Sequence, residues 1–183
     1  MDGLRVRPAV FADAPVIQRL IAASARALSR GDYSEAQVEA ALGTTFGLDA
    51  QLVADGTYFV AEAKGEIVGC GGWSRRRALF GANARVDAAA EALDPARDAA
   101  RIRAFFVRPD WARRGVARAL LAACEEAAGQ HGFRTVELVA TLPGHRFYRS
   151  AGYVGDERRT YPLRDGITIE FIPMKKDLSG CGD

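Results

Sequence analysis

The sequence predicts an α/β fold in which a central mixed β-sheet is flanked by helices. Two observations support this prediction. Short runs rich in β-branched and aromatic residues alternate along the chain with segments whose apolar residues recur every three or four positions. The chain also has 183 residues and a hydrophobic content of 49%, values that suit one globular domain. We therefore expect a single domain over residues 1–175, followed by a flexible C-terminal tail over residues 176–183.

The N-terminal third is predicted to form one strand and two helices. Residues 4–8 alternate apolar and basic side chains, as a short strand does. Asp13 is a suitable N-cap for a helix that ends near Leu28. Residues 34–37 form a capping-box pattern, which opens a shorter helix that stops at Gly43.

Two further strands are predicted from the next segment. Residues 57–63 and 66–73 are β-rich and are separated by a tight Lys64-Gly65 turn. Three glycines within the second strand mark a bulge or a close approach by another group. Residues 78–99 then form a long connector, to which we assign no structure.

The centre of the chain combines a strand, a basic turn and a helix. The apolar residues 104–107 are long enough for a buried strand, which Pro109 ends. A turn that contains one glycine and three arginines follows over residues 113–118. Apolar residues then recur at helical spacing from residue 116 to residue 128, which predicts an amphipathic helix.

This order of strand, turn and helix suits the binding of an anion. The first turn of a helix has unpaired backbone N–H groups and the positive end of the helix dipole. Gly115 has no side chain, so a phosphate can approach the backbone closely. Arg113, Arg114 and Arg118 add positive charge around the same point. The alternative is a solvated basic turn in which Gly115 only eases the bend.

The C-terminal part is predicted to close the sheet. Residues 135–140 form a strand, and residues 145–151 form a short helix that Gly152 caps. Residues 153–161 and 167–174 are two closing strands joined by a turn.

Two motifs resemble those of the GNAT-type N-acetyltransferase superfamily. Residues 112–117, Ala-Arg-Arg-Gly-Val-Ala, are similar to the family's coenzyme A-binding pattern Gln/Arg-x-x-Gly-x-Gly/Ala, with Ala112 in place of the leading Gln or Arg. Residues 147–153, Phe-Tyr-Arg-Ser-Ala-Gly-Tyr, match the family's Phe-Tyr-x-x-x-Gly-Phe/Tyr. The resemblance extends over roughly residues 4–175 and implies the GNAT-like acyl-CoA N-acyltransferase fold.

The resemblance implies acetyl-CoA as a co-substrate and no metal. The backbone of residues 113–118 would hold the pyrophosphate, and an N–H of Phe106 or Val107 would polarise the thioester carbonyl. Thr141 stands where many family members carry an Asn that contacts the cofactor. The expected cofactor-binding residues are Phe105, Phe106, Val107, Arg113, Arg114, Gly115, Val116, Ala117, Arg118 and Thr141.

By the same resemblance, Tyr148 is the expected catalytic acid. A phenol with a pKa of about 10 stays protonated at neutral pH, as a group that protonates the departing thiolate must. The alternative is a core aromatic residue on the short helix. The family often removes the amine proton with a Glu on the central strand, whereas this strand carries Arg101 and Arg103. Glu62, Glu137 and the acidic residues of the 87–98 loop are candidates without a geometric argument, so we assign no base.

The resemblance implies N-acetylation of a primary amine of a small molecule, a peptide or a protein. Residues 30–34 and 43–49 are candidate substrate-contacting segments, with plain connectors as the alternative. Trp73 and Arg75 are further substrate-binding candidates, although the arginine run there also suits a solvated strand end.

The sequence does not decide whether the protein is a monomer or a homodimer.

Two other functions compete with this interpretation. One is an acyl-CoA-binding module with little turnover, which would act as a sensor or partner-binding domain. The other is a nucleotide-binding protein, but the Walker-type Gly-Lys-Ser/Thr is missing after the basic turn.

Composition argues against several other classes of protein. A net charge of +2 is too small to favour binding to nucleic acid or a membrane surface. No run approaches the about 18 apolar residues of a membrane span, and we expect no signal peptide. Cys70, Cys124 and Cys181 lack metal-ligand spacing, and the first two are expected to be buried thiols. We therefore expect a cytoplasmic protein.

Overall fold

The computed structural model describes residues 3–77 and 91–179 and confirms the predicted α/β fold. The strands are β1 (Arg5–Pro8), β2 (Tyr58–Ala63), β3 (Glu66–Ser74), β4 (Ala100–Val107), β5 (Thr135–Thr141), β6 (Arg159–Pro162) and β7 (Thr168–Asp177). The helices are α1 (Ala14–Leu28), α2 (Glu35–Ala41), α3 (Ala50–Ala54), α4 (Val116–Gln130) and α5 (His145–Ser150). The strands form one sheet in the order β1-β2-β3-β4-β5-β7-β6, in which β4 and β5 run parallel and the other neighbouring strands run antiparallel.

Helices cover both faces of this sheet. On one face, α1 and α2 bury residues such as Ile17 and Val38 against Val60 of β2. On the other face, α4 buries Leu120 against Ala61 of the same strand. Successive side chains of a strand point to opposite faces, so β2 supplies both parts of the core. None of the described helices has the length and apolar character needed to cross a lipid bilayer.

The glycines of β3 allow other groups to approach the sheet closely. A Cβ on Gly69 would lie 2.5 Å from Val116 Cγ1, and a Cβ on Gly71 would lie 2.6 Å from the ring of Phe105. The predicted close approach is therefore confirmed. Its consequence is that the first turn of α4 and the ring of Phe105 both rest directly on β3.

A β-bulge interrupts the pairing of β3 with β4. Gly72 pairs with Arg103 and Cys70 pairs with Phe106, so β4 contains one extra residue in this interval. Ala104, within the bulge, has a φ of 57°, a left-handed conformation that alanine rarely adopts. The Tyr58 hydroxyl donates a hydrogen bond to the Ala104 carbonyl at 3.1 Å, which fixes the bulge from below.

Strands β4 and β5 pair only at their beginnings. Ala100 lies opposite Val136 and Arg101 lies opposite Glu137, and within the described ranges the ladder between the two strands ends there. Both strands continue, β4 to Val107 and β5 to Thr141. The middle of the sheet therefore parts into a wedge-shaped gap.

Three local predictions differ from the structure. Helix α3 was not predicted; it begins at Asp49, whose carboxylate accepts hydrogen bonds from two backbone N–H groups of its first turn. The predicted strand 153–161 is reduced to β6, with Val154 in an isolated bridge to Lys175. The Asp13 carboxylate accepts from the Val10 N–H at 2.9 Å and pairs with Arg7, so it does not bond to the N–H groups of α1.

The end of the domain also differs slightly from the prediction. Strand β7 runs to Asp177, which pairs with Thr135 of β5, so residues 176 and 177 belong to the sheet rather than to a tail. Residues 78–90 of the long connector and residues 180–183 of the expected tail, with Cys181, lie outside the described residues. Cys70 and Cys124 are buried free thiols, as predicted.

Candidate active site

A cavity of about 1100 Å³ opens in the gap between β4 and β5. One part of it is lined by the turn before α4, the first turn of that helix, and α5. Its other half is lined by the end of α1, the segments on either side of α2, and β7. Residues 102–107 of β4 also line the cavity, so all of these elements border the gap between β4 and β5.

The turn before α4 has the geometry of an anion site. Gly115 has a φ of 81° and Arg113 a φ of 61°, so the chain makes a tight left-handed turn before the helix begins at Val116. The Ala119 N–H donates to the Gly115 carbonyl at 3.0 Å as the first bond of the helix. The N–H groups of the three residues before Ala119 have no acceptor within the helix, and these residues line the cavity.

The arginines of this turn do not all face the cavity. Arg113 and Arg118 line it, and Arg118 donates to Ser150 Oγ at 3.2 Å, which ties α4 to α5. The Arg114 guanidinium instead lies over the ring of Trp111, 5.2 Å from its centroid, and is not among the described residues that line the cavity. The structure therefore separates three arginines that the sequence treated as one group.

Strand β4 contributes Phe105, Phe106 and Val107 to the cavity lining. The Val107 N–H is one of the two expected carbonyl-polarising groups, and it donates to Ser24 Oγ at a long distance of 3.3 Å. Ser24 is buried on α1 and lines the same cavity. The sequence analysis missed Ser24, because a single serine within an apolar helical face carries no signal of its partner.

Tyr148 lines the cavity and also packs in the core. Its side chain contacts Phe147 with ring centroids 5.0 Å apart, Tyr153 at 5.6 Å and Phe105 at 6.5 Å. The residue is 9% exposed, and its hydroxyl has no hydrogen-bond partner among the described residues. Burial raises the pKa of Tyr148, so the phenol stays protonated at neutral pH. Tyr148 is therefore a core aromatic residue whose side chain also lines the cavity, so the sequence-based alternatives of an acid and a core aromatic residue do not exclude each other.

Thr141 lines the cavity at the end of β5. Its Oγ1 accepts a hydrogen bond from the Gly144 N–H at 3.2 Å, which holds the turn between β5 and α5. A Cβ on Gly144 would lie 3.0 Å from the same oxygen, so this turn requires a small residue. Thr141 therefore shapes the wall that carries Tyr148.

Trp73 and Arg75, the predicted substrate-binding residues, are not among the described residues that line the cavity. Trp73 is 1% exposed and packs against His131 and Phe133, with ring centroids 4.9 Å and 6.0 Å away. A side chain enclosed in this way cannot reach a ligand. Arg75 is exposed on the solvent side of the strand end, as the alternative interpretation held.

Residues of both predicted substrate-contacting segments line the other half of the cavity, together with the end of α1. Asp32 comes from the first segment and Phe46 from the second. Leu28 and Ser29, at the end of α1, complete this wall. We refer to the part of the cavity formed by Ala25, Leu28, Ser29, Asp32, Phe46 and Phe171 as the acceptor pocket.

A buried ion pair lies beneath the acceptor pocket. Arg103, on β4 just before the bulge, places a guanidinium nitrogen 3.1 Å from the Asp49 carboxylate, and both side chains are 6% exposed. Burial lowers the pKa of Arg103 and raises the pKa of Asp49, while their mutual attraction opposes both shifts. The charges of the pair offset each other, so it adds little net charge to the cavity.

The two glutamates considered as bases lie away from the cavity lining. Glu62 pairs with Arg7 at 2.7 Å, and Glu137 pairs with Arg101 on the neighbouring strand. Within residues 3–77 and 91–179, Asp32 is the only carboxylate that lines the cavity. The same part of the chain contains no group of three or more His, Cys, Asp or Glu side chains arranged to hold a metal ion.

The sequence profile of the Acetyltransferase (GNAT) family matches residues 22–153. The chain belongs to the GNAT acetyltransferase family. The matched segment begins within α1 and ends after α5, so it contains the whole gap between β4 and β5 and the turn at Gly115. No curated protein matches the chain by sequence.

Solved GNAT structures share the fold over nearly the whole chain. The GCN5-related N-acetyltransferase from Rhodopseudomonas palustris is 26% identical with a TM-score of 0.73, over 97% of this chain and 98% of that one. The putative acetyltransferase yncA from Salmonella typhimurium, solved with acetyl-CoA, is 15% identical with a TM-score of 0.64, over 100% and 98%. The ribosomal-protein-alanine N-acetyltransferase from Brucella melitensis is 18% identical with a TM-score of 0.64, over 95% and 99%.

Proposed function

We propose that the protein is an N-acetyltransferase that moves an acetyl group from acetyl-CoA to a primary amine. The observation that carries this proposal is the continuity of the cavity in the β4/β5 gap. It joins the anion-binding turn at Gly115, the free edge of β4, and Tyr148 in one space. A ligand with a charged diphosphate, an amide-containing arm and a reactive thioester has the same order of groups.

The turn before α4 suits the diphosphate of coenzyme A. The N–H groups of residues 116–118 point along the helix axis into the cavity, and the helix dipole adds a partial positive charge there. Gly115, in its left-handed conformation, brings the backbone close without a side chain. Arg113 and Arg118 supply two further charges at the rim of the cavity.

Strand β4 suits the pantetheine arm. Past Arg101 its edge has no strand partner on the β5 side in the described structure, so its N–H and C=O groups can pair with the amides of a ligand. The Val107 N–H currently donates to Ser24 at 3.3 Å, a bond weak enough to be exchanged for a ligand carbonyl. Ser24 thus holds this N–H group in place until the ligand arrives.

The transfer step needs a nucleophile, a polarised carbonyl and a proton for the leaving group. The neutral amine nitrogen attacks the thioester carbon, and the C–S bond breaks as the tetrahedral intermediate collapses. The Tyr148 hydroxyl then gives its proton to the departing thiolate, and the amide nitrogen loses its extra proton to solvent. The Tyr148 phenolate takes up a proton from solvent, which restores the acid for the next cycle. The N–H group of Phe106 or Val107, at the end of β4, stabilises the oxyanion between the two steps.

The test is the release of free thiol from acetyl-CoA in the presence of a panel of primary amines, with the acetylated product identified by mass spectrometry. Steady release that depends on the amine supports the proposal. The competing function is an acyl-CoA-binding module. Tight binding of acetyl-CoA without acceptor-dependent release would favour that module and overturn the enzyme.

Gly115→Glu tests the position of the diphosphate. The carboxylate would occupy and repel the site, so we expect coenzyme A binding to be lost by calorimetry while the circular dichroism spectrum is retained. The control is Gly129→Glu near the other end of α4, where a side chain meets open space. Unchanged affinity in folded Gly115→Glu would remove the turn from the cofactor site.

A further inference from the structure

The acceptor pocket combines an apolar wall with one carboxylate at its rim. The rings of Phe46 and Phe171 lie 6.1 Å apart, and Phe46 also packs edge-on against Phe106 at 5.8 Å. These rings come from three separate elements and form a continuous apolar surface below the cavity. Any acceptor that reaches β4 from this side must pass along them.

Leu28 extends the apolar wall to the mouth of the cavity. It is 38% exposed, although it is a large apolar side chain at the end of a helix whose other face is in the core. Exposed apolar side chains are ordinary when they occur singly. Leu28, however, lines the same cavity as the buried Ala25 and Phe46, so an apolar group bound there can cover it.

Asp32 is the charged residue of the acceptor pocket as defined above. Asp32 is exposed, lines the cavity, and forms no ion pair with any described residue. Arg103 lies beneath the pocket, and the Asp49 carboxylate at 3.1 Å offsets its charge. The other cations among the described residues that line the cavity, Arg113, Arg118 and Arg146, lie on the turn before α4, on α4 and on α5.

From this combination we infer that the acceptor is a primary amine on an apolar, preferably aromatic, body without a carboxylate next to the amine. The inference rests on the proposed function and names its substrate class. Such an amine approaches as an ammonium ion attracted by Asp32, and its apolar body then binds against Leu28 and Phe46. The ammonium ion loses a proton to solvent before the neutral amine attacks. An α-amino acid is disfavoured, because its carboxylate would face Asp32 or compete with Asp49 for Arg103.

The experiment compares matched acceptors in the thiol-release assay. Adding a carboxylate to 2-phenylethylamine gives phenylalanine, and removing its ring gives ethylamine. We expect kcat/KM for 2-phenylethylamine to exceed that of each of the other two by about 10-fold or more, since apolar pockets discriminate on this scale. Equal or better use of phenylalanine or ethylamine overturns this inference while leaving the proposed function intact. No thiol release with any amine overturns both.

Two variants assign the preference to the named residues. Leu28→Ala should raise KM for 2-phenylethylamine and not for ethylamine; Val16→Ala, equally exposed on the same helix at 38%, is its control. Asp32→Asn should raise KM for 2-phenylethylamine by about two- to fivefold and reduce the difference in kcat/KM from phenylalanine. Its control is Asp165→Asn, because Asp165 is an exposed carboxylate that is not among the described residues lining the cavity. A preference that survives both substitutions would place the acceptor elsewhere in the cavity and overturn the assignment.

Discussion

Tyr148 packs against core aromatic residues and is also the proposed catalytic acid, and a substitution can test the two roles separately. Tyr148→Phe keeps the ring and its contacts with Phe105, Phe147 and Tyr153, so stability should hold. It removes the proton proposed for the leaving thiolate, and a positioned acid contributes about 10²-fold or more. We therefore expect kcat and kcat/KM to fall together, with acetyl-CoA affinity little changed, as measured by thiol release and calorimetry.

Tyr153→Phe is the matched control for this experiment. Its hydroxyl donates to Glu125 at 2.9 Å, away from the cavity lining, so its loss should cost about 1 kcal/mol of stability and leave turnover unchanged. Wild-type turnover in Tyr148→Phe would remove Tyr148 from the mechanism. Loss of acetyl-CoA binding instead would make it a cofactor contact.

The basic turn offers a second comparison at the residue scale. Arg113 lines the cavity and Arg114 lies over Trp111, although they are neighbours with the same charge. Arg113→Ala should weaken coenzyme A binding by about two- to fivefold, and Arg114→Ala should do so less. The effect of Arg113 should shrink as salt rises, because exposed charges are screened. Titration calorimetry at two salt concentrations measures both, and equal losses for the two variants would contradict the geometry.

At the scale of one element, the bulge in β4 depends on backbone conformation. Ala104 has a φ of 57°, a conformation that costs an L-residue roughly 1–2 kcal/mol and glycine little. Ala104→Gly should therefore change the free energy of unfolding by less than about 0.5 kcal/mol, because relief of strain offsets the greater freedom of glycine when unfolded. Ala104→Val should destabilise by more than about 1 kcal/mol, since a β-branched residue fits this conformation poorly.

The control for the bulge is Ala61→Gly in β2, where Ala61 is fully buried and does not have a left-handed φ. It should lose about 0.5–1 kcal/mol, measured by urea denaturation. If Ala104→Gly were as destabilising as Ala61→Gly, Ala104 would not be in a left-handed conformation. The bulge would then be set by packing around it rather than by that residue.

At the scale of the whole molecule, two ion pairs make stability depend on pH. Arg7 and Arg76 donate hydrogen bonds to Asp13 and Asp55 and hold the pKa of each carboxyl below its ordinary 3.8. A carboxyl whose pKa is lower in the folded state contributes stability above the unfolded pKa and loses it as pH falls through the folded pKa.

Asp13→Asn and Asp55→Asn should therefore each lower the free energy of unfolding by about 1 kcal/mol at pH 7. The difference from the wild type should shrink as pH falls below about 4. Urea denaturation from pH 7 to pH 3.5 measures it. A difference that stays constant over this range would show that the side chains act through shape rather than charge.

Much of the fold was predictable, because several residues form interactions or backbone conformations that depend only on their neighbours in sequence. Ser34 and Gln37 close a capping box on each other, so the start of α2 follows from four residues. Gly115 begins α4 in a left-handed conformation that few other residues tolerate. The order of strands and helices follows from such local signals and from hydrophobic spacing.

What could not be predicted depends on partners distant in sequence. Trp73 follows three glycines and precedes three arginines, a local context that suits an exposed site, yet His131 and Phe133 from beyond α4 enclose it. Arg113 and Arg114 differ only in which way the turn directs them. Ser24 meets Val107 across 83 positions of sequence, and no pattern within α1 indicates it.

The parting of β4 from β5 has a consequence for the lifetime of the folded chain. Backbone N–H and C=O groups at the centre of a sheet normally form hydrogen bonds with both neighbouring strands. Past Arg101, the described part of β4 has no strand partner on the β5 side, so these groups can bond to a ligand. If acetyl-CoA binds in the gap as proposed, it stabilises the folded protein in addition to serving as the acetyl donor. Mass action then adds RT ln(1 + [L]/Kd) to the folded state, about 2.7 kcal/mol when the ligand stands at 100 times its dissociation constant. A low concentration of acetyl-CoA would thus lower the free energy of unfolding and shorten the lifetime of the folded protein.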